Sequence, residues 1–418
     1  MSKQNKVIVI GGGASGMMAA IAAAETGASV TILEKNSRLG EKLRITGGGR
    51  CNIWNEEHDE RLLLANYGST SKFLFSSFAR FGLTDTIEFF NRIGIKAKVE
   101  AKNRAFPVSE RAEDVAEAMV KRIHELEIQV LYGTEVRGVN KKNNTIKTLE
   151  TSTGLQAADQ YILATGGVSK PETGSTGDGF KFLSDLGHKI ESPTPTITPL
   201  KVKETWIKQL AGTPMKDVRI TFSVNGKKSF RLEGDILCTH FGMSGPMILN
   251  SAHKVADLLT QGTVTAHIDL YPTMDEKELD IFILEQLSTH GAKQLGNTLK
   301  YIVPEGMSAG LKELVSSLDL SMNTGELTKE QRLFIALLIK AMPLTIENLM
   351  GFDKAVIADG GIDIKDIDTK TMRSKHYNNL YITGDLLHVN RPSGGYSLQL
   401  CWTTGYLAGR SVVNDVLS

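Results

Sequence analysis

The stretch Val7-Ile8-Val9-Ile10-Gly11-Gly12-Gly13-Ala14-Ser15-Gly16-Met17-Met18-Ala19-Ala20 decides how the rest of the 418-residue chain is read. Four consecutive β-branched residues predict a short strand buried on both faces. The glycines let the backbone turn tightly and approach a pyrophosphate, and Ala14 to Thr26 is predicted as a helix whose first amides and dipole face that anion. Gly27 suits the helix stop, and Ala28 to Leu33 reads as a second strand that delivers Glu34. Glu34 lies 18 residues beyond Gly16, near the spacing at which an acid accepts hydrogen bonds from an adenosine ribose. A glycine turn alone also occurs without nucleotides; strand, turn, helix, strand and acid in this order predict a dinucleotide site.

Working outward, Thr46-Gly47-Gly48-Gly49-Arg50-Cys51-Asn52 is a second glycine cluster. It suits backbone amides crowding against phosphate or ring oxygens, with Lys42 and Arg50 adding charge, or else an ordinary loop. Tyr161-Ile162-Leu163-Ala164-Thr165-Gly166-Gly167 is an apolar strand running into small residues, and Leu380-Tyr381-Ile382-Thr383-Gly384-Asp385 is another. Ser393 to Ser397 opens a long helix, Leu398 to Val413, so strand, glycine and helix start again make an anion-tolerant site. No second complete GxGxxG unit is seen, which favours tightly bound FAD over NAD alone. NADH or NADPH, as a transient reductant, is expected to visit a site lacking that signature.

Composition narrows the remaining classes. A net charge of +1 gives no global pull towards nucleic acid or membrane, although a local basic patch stays open. Cys51, Cys238 and Cys401 form no CxxC pair, so neither a disulfide framework nor a thiolate metal site is indicated, and no metal is expected. The apolar run near Val7 is too short for a signal-peptide core, and no stretch approaches a membrane-spanning length. A soluble cytoplasmic protein is expected.

Coarser patterns set the organisation. Ser71 to Ile93 is helical with a break at Gly82 and places Phe75, Phe78, Phe81 and Phe89 in the core; Arg104 to Pro107 reads as a turn; Glu110 to Leu126 is an amphipathic helix. Three prolines between Pro193 and Pro199 predict an extended connector. Beyond them the Asn225-Gly226 turn joins two strands, and helices are predicted at Asp275 to Leu287 and Lys329 to Ala341. The expected division is 1–190, an inserted 191–343 that is β-rich and then helical, and 344–418, with both ends of the chain closing on one cofactor.

Taken together these motifs resemble the family of FAD-dependent oxidoreductases that includes bile-acid double-bond reductases, aminoacetone oxidases and ribosomal-RNA dihydrouridine synthases. The marks are VIVIGGGASGMMAA at Val7, TGGGRCN at Thr46, ILATGG at Ile162, GSTGDGF at Gly174, LGH at Leu186, GDILCTHFGMSGP at Gly234, ADGGIDIKDIDTKTMRSK at Ala358 and LYITGDLLHVNRPSGGYSLQ at Leu380. The resemblance implies an α/β fold: a glutathione-reductase-type FAD-binding Rossmann domain with an inserted β-barrel plus α-helical domain. Carried over by motif, FAD contacts are expected from Gly11, Gly13, Ala14, Ser15, Gly16, Glu34, Lys35, Lys42, Gly48, Arg50 and Cys51, and from Val136, Ala164, Thr165, Gly166, Gly384, Asp385, Gly395, Ser397 and Leu398. The chain departs from the usual pattern where a glutamate is Asp385, an aspartate is His388, and Arg391-Pro392 is unusual.

Catalytic candidates are therefore His240, His388 and Arg391. His240, between glycine turns, is a candidate proton donor or a structural histidine; His388 a donor or a surface variant; Arg391 a carboxylate-binding group or a packing residue. Cys51 reads more naturally as a small buried hydrophobe than as an acid. The expected chemistry is reduction of an activated C=C bond of a small-molecule substrate. Reduction of uracil in ribosomal RNA and oxidation of a small amine such as aminoacetone stand as alternatives.

Overall fold

The structure, a computed structural model, describes residues 4–414. The predicted opening unit forms as β1 (Lys6–Ile10), a helix at Ala14–Ala24 and β2 (Ser29–Leu33). The same sheet takes in β3 (Gln129–Leu131), β4 (Gln160–Leu163), β5 (Ile367–Asp368), β6 (Arg373–Ser374) and β7 (Leu380–Ile382), in the order β5-β6-β7-β4-β1-β2-β3. β7, β4, β1, β2 and β3 run parallel. Because β1 has β2 on one side and β4 on the other, the chain reverses its progress across the sheet there. The carboxyl ends of β1 and β4 therefore flank a crevice of the kind in which open α/β sheets bind ligands.

The last helix, Tyr396–Asn414, lies directly on the glycine-loop helix. Gly405 and Gly409 make this possible: a Cβ on Gly405 would sit 2.4 Å from the Ser15 carbonyl oxygen, and one on Gly409 2.2 Å from that of Ala19. Two backbones thus meet without side chains between them. Val7, Val9, Ile32, Ile162, Tyr381 and Trp402 fill the core of this unit.

The chain divides into two compact units, residues 1–194 with 356–418, and residues 195–355. Residues 1–3 and 415–418 lie outside the described residues. The second unit contains a closed barrel of Leu200–Val202, Gly242–Ser244, Lys227–Thr239, Pro214–Val224, Val264–Asp269 and Met342–Leu349. The Asn225-Gly226 turn joins two of these strands, and helices at Glu276–Ser288 and Lys329–Lys340 pack beside one another. Phe222, Ile220, Trp206, Ile283 and Ile339 belong to its separate core.

Several sequence expectations need correction. The boundary expected at 343/344 cuts a barrel strand, since Leu344 pairs with Ala266 and Thr345 with Thr265. Arg104–Pro107 is a strand, not a turn, held between Trp54–Asn55 and Ala97–Glu100. Phe75 is 50% exposed, because the helix Ser71–Phe78 buries its Leu74 and Phe78 face instead. Ile357–Ile362 is a strand that pairs with Ile190–Ile197, so the proline-rich connector is itself a strand. Extended proline geometry is compatible with such a two-stranded edge.

Among the described residues, one cluster has metal-ligand chemistry: His188, Asp366 and His376. The two imidazoles are stacked, with centroids 4.2 Å apart and planes within 9°. An imidazole donates in its own plane, and nearly parallel planes share no point between the rings, so this arrangement is a stacked pair edged by a carboxylate. The Ser374 hydroxyl oxygen accepts the amides of His376 and Tyr377, which directs its own proton to His188 Nε2 at 3.1 Å. His188 Nδ1 is then the protonated nitrogen, facing Asp366 at 3.7 Å. No helix among the described residues is long and apolar enough to cross a membrane.

Cys51, Cys238 and Cys401 are free and buried. Burial pushes each thiol up to about 12. Native protein at pH 8 is therefore expected to leave all three unreacted with a chromogenic disulfide, and denatured protein to release all three; rapid native reaction would contradict the packing.

Candidate functional site

The crevice is built first from backbone. Gly11 stands beyond β1 with φ +100°, and its N–H donates to Leu33 O. Ala164 N–H donates to Ile10 O, which brings the Ala164-Thr165-Gly166 end of β4 alongside. A Cβ on Gly16 would lie 2.0 Å from the Gly11 carbonyl oxygen, so only glycine lets the helix begin this close to the turn. Gly13 differs. It is the helix N-cap, with no side-chain cap, and a Cβ there would meet nothing within 4 Å. The helix start opens on free space, as an anion-binding terminus requires.

Glu34 is 6% exposed. Its Oε2 accepts the Gly12 N–H at 2.7 Å and its Oε1 the Asn36 N–H at 2.8 Å. Two fixed amides thus orient a buried carboxylate whose remaining lone pairs can accept ribose hydroxyls. The Thr165 hydroxyl oxygen is buried without a hydrogen-bond partner and lies against Gly179, where an added Cβ would stand 2.2 Å from it. An uncapped helix start and an oriented acid together fit the polar half of a dinucleotide.

At the end of β7, Gly384 takes φ +65° and donates its N–H to Thr404 Oγ1 at 3.0 Å; a Cβ there would lie 2.6 Å from Ser15 Oγ. Asp385 follows, with Lys42 Nζ at 3.3 Å from one oxygen and Arg391 Nη2 bonded to the other. Lys42 also donates to Ser169 Oγ at 2.6 Å. Burial would raise the Asp385 pKa, but the Arg391 and Lys42 charges outweigh it and hold the carboxyl below its ordinary range. The start of the last helix is tied by Tyr67, whose hydroxyl donates to Tyr396 O at 2.9 Å, and by Asn55, whose amide donates to Gly394 O at 3.0 Å.

The structure thus brings together Gly11, Gly13, Ala14, Ser15, Gly16, Glu34, Lys42, Ala164, Thr165, Gly166, Gly384 and Asp385, with Ser397 joined through Arg391 and with Gly395 and Leu398 beside it. Lys35 and Arg50 have partners of their own. Lys35 Nζ donates to Thr176 Oγ1 at 2.6 Å and Asp178 Oδ2 at 2.7 Å. Arg50 pairs with Glu100 and Glu110 and lies over the Phe106 ring. Gly48 sits in an open left-handed turn and Cys51 is wholly buried, as a small apolar residue would be. Val136 begins the strand Val136–Lys142 with its side chain buried.

Among the catalytic candidates, Arg391 is corrected: its side chain is 2% exposed and all three nitrogens have internal partners, so it is not placed as a carboxylate receptor. His388 is half-buried in the first unit, its N–H donating to Ile362 O. His240 is exposed in the second unit, at the turn between Lys227–Thr239 and Gly242–Ser244, edge-on to Phe241. Sequence reasoning missed Ser169 and Tyr67. Ser169 stands two residues past Gly167, where a polar residue next to the returning strand was a readable signal; nothing local marked Tyr67.

Parallel sheet, glycine cradle and oriented acid define a dinucleotide-binding protein of the Rossmann type. The family model described as "HI0933-like protein Rossmann domain" matches residues 5–411. The chain belongs to that family. It is 30% identical over 410 residues to the 3-dehydro-bile acid delta(4,6)-reductase of Clostridium scindens, covering 97% of this chain and 98% of that one. It is 25% identical over 407 residues to the ribosomal RNA dihydrouridine synthase of Escherichia coli, covering 97% of each. Among solved structures, the 3-ketosteroid-delta4-(5alpha)-dehydrogenase of Rhodococcus jostii shares the fold, with a TM-score of 0.54 at 13% identity, over 99% of this chain and 98% of that one.

Proposed function

We propose that this protein reduces an activated C=C bond of a small organic substrate, with NADH or NADPH supplying the electrons. The observation that carries the reading is the 30% identity, along nearly the whole chain, to a relative named as a bile-acid delta(4,6)-reductase. Bound FAD supplies two-electron redox chemistry. The chain's own part is to hold it. First-turn amides from Ala14 to Gly16 would take the pyrophosphate, Glu34 the ribose, and Thr165 and Asp385 further polar atoms. Amides at the start of the last helix favour negative charge, by about 0.3–1 kcal/mol for an exposed terminus. His388 and His240 are the candidate proton donors.

The test is anaerobic titration of the purified yellow protein with NADH and with NADPH, followed by a conjugated enone. Bleaching by one nucleotide and return of colour with the enone are expected; no bleaching by either removes the nicotinamide-driven reading. The dihydrouridine synthase relative favours a second substrate, uracil in ribosomal RNA, reduced at its own C=C bond. Cells lacking the protein would then lose dihydrouridine from ribosomal RNA digests, and an unchanged digest would remove that reading.

A further inference from the structure

We propose that Arg391 is a positioning residue for the cofactor, acting through Asp385: it fixes that carboxylate and ties both ends of the 384–397 segment over the crevice. One guanidinium spans the segment. Its Nη2 donates to Asp385, its Nη1 to the Val389 carbonyl, and its Nε to Ser397 Oγ at 2.9 Å. Asp385 follows Gly384 just beyond the end of β7, and Ser397 lies in the first turn of the last helix.

An arginine side chain 2% exposed is costly to bury, and here each nitrogen has a partner in the segment it spans. The planar fork suits this task; a lysine head cannot reach three divergent acceptors in one plane. The acid it holds faces the crevice. Asp385 keeps 20% of its side chain exposed and Lys42 24%, against 2% for Arg391, so the guanidinium is the buried backing and the acid and amine are the open face. Gly384, the residue before Asp385, packs against Ser15 in the first turn of the glycine-loop helix, which places this face beside the anion-binding amides. With Lys42 and Arg391 flanking one carboxylate, the trio carries a net positive charge, suited to an anionic ligand.

The inference rests on FAD as the cofactor. Its test is a double-mutant cycle read by FAD dissociation constant, using R391Q, D385N and the double variant, with R391K as the conservative replacement and melting of the FAD-free forms as the control for folding. R391Q is expected to bind FAD at least tenfold more weakly. D385N is expected to weaken binding comparably, and the double variant to bind no more weakly than the poorer single one, because Arg391 acts through Asp385. R391K should recover part of the loss. Unchanged affinity in R391Q overturns the inference, as do losses that multiply in the double variant. Should R391Q not fold, R391K against D385N gives the same cycle. Wild-type protein that takes up no FAD would instead overturn the cofactor assignment itself.

Discussion

Replacing Gly16 with alanine is expected to weaken FAD binding sharply, while the same change at Gly13 leaves the fold intact. At Gly16 the added methyl would stand 2.0 Å from the Gly11 carbonyl oxygen and 3.2 Å from the Ala164 Cβ, so backbone must move. Overpacking of this kind costs about 1–3 kcal/mol. The displaced turn also loses the helix-start amides, for which we expect roughly a hundredfold weaker FAD, equivalent to about 2.7 kcal/mol. At Gly13 the methyl meets nothing of the protein, and φ of −77° suits alanine. G13A should therefore melt like wild type without cofactor and still bind FAD poorly, because the methyl enters space the cofactor needs. Equal FAD affinity in G13A and wild type would place the cofactor away from this helix start.

Acid should destabilise the protein through His188. Burial, the stacked His376 and Lys141 lower its pKa to about 4 from the ordinary 6.5, with Asp366 opposing them. The folded state holds this imidazole neutral, so the unfolded chain takes up the proton first as pH falls. Stability is fully present above pH 6.5, declines between 6.5 and 4, and levels off below. The shift corresponds to about 3 kcal/mol for a side chain with no exposed surface. Urea unfolding of wild type and H188Q at pH 7 and pH 4.5 isolates it from the carboxylates common to both. The wild type should lose more on acidification, and parallel losses would show that His188 is not buried neutral. The stacked pair also explains why LGH reads as a motif without touching the crevice: its histidine joins the 366–377 segment to the end of the helix Asp178–Asp185.

Much of the fold was legible because it repeats simple periods. β1, the glycine turn and β2 follow from a four-residue apolar run, three glycines and an acid, all within one stretch. Helices such as Ala112–Glu125 followed from Val115, Met119 and Ile123 on one face. What escaped reading depended on partners distant in sequence. Arg104–Pro107 looks like a turn until Trp54 and Ala97 flank it, and Met342–Leu349 looks like a return to the first unit until Val264–Asp269 claims it. At the site, Glu34 and Gly16 were visible as types at a spacing. Arg391 was visible only as an oddity, since its partners, Asp385 and Ser397, are set by how the loop between them closes.

The contact of Gly405 and Gly409 with Ser15 and Ala19 has a consequence for how the protein is made. The glycine-loop helix, Ala14–Ala24, leaves a ribosome well before the helix that seats it, Tyr396–Asn414. Until residue 409 has emerged, Ser15 and Ala19 lack their covering backbone. The unit at 195–355, which has its own core, is free to fold during that wait. Seating of the glycine-loop helix therefore waits for a segment far along the chain, so this contact is a late event of folding.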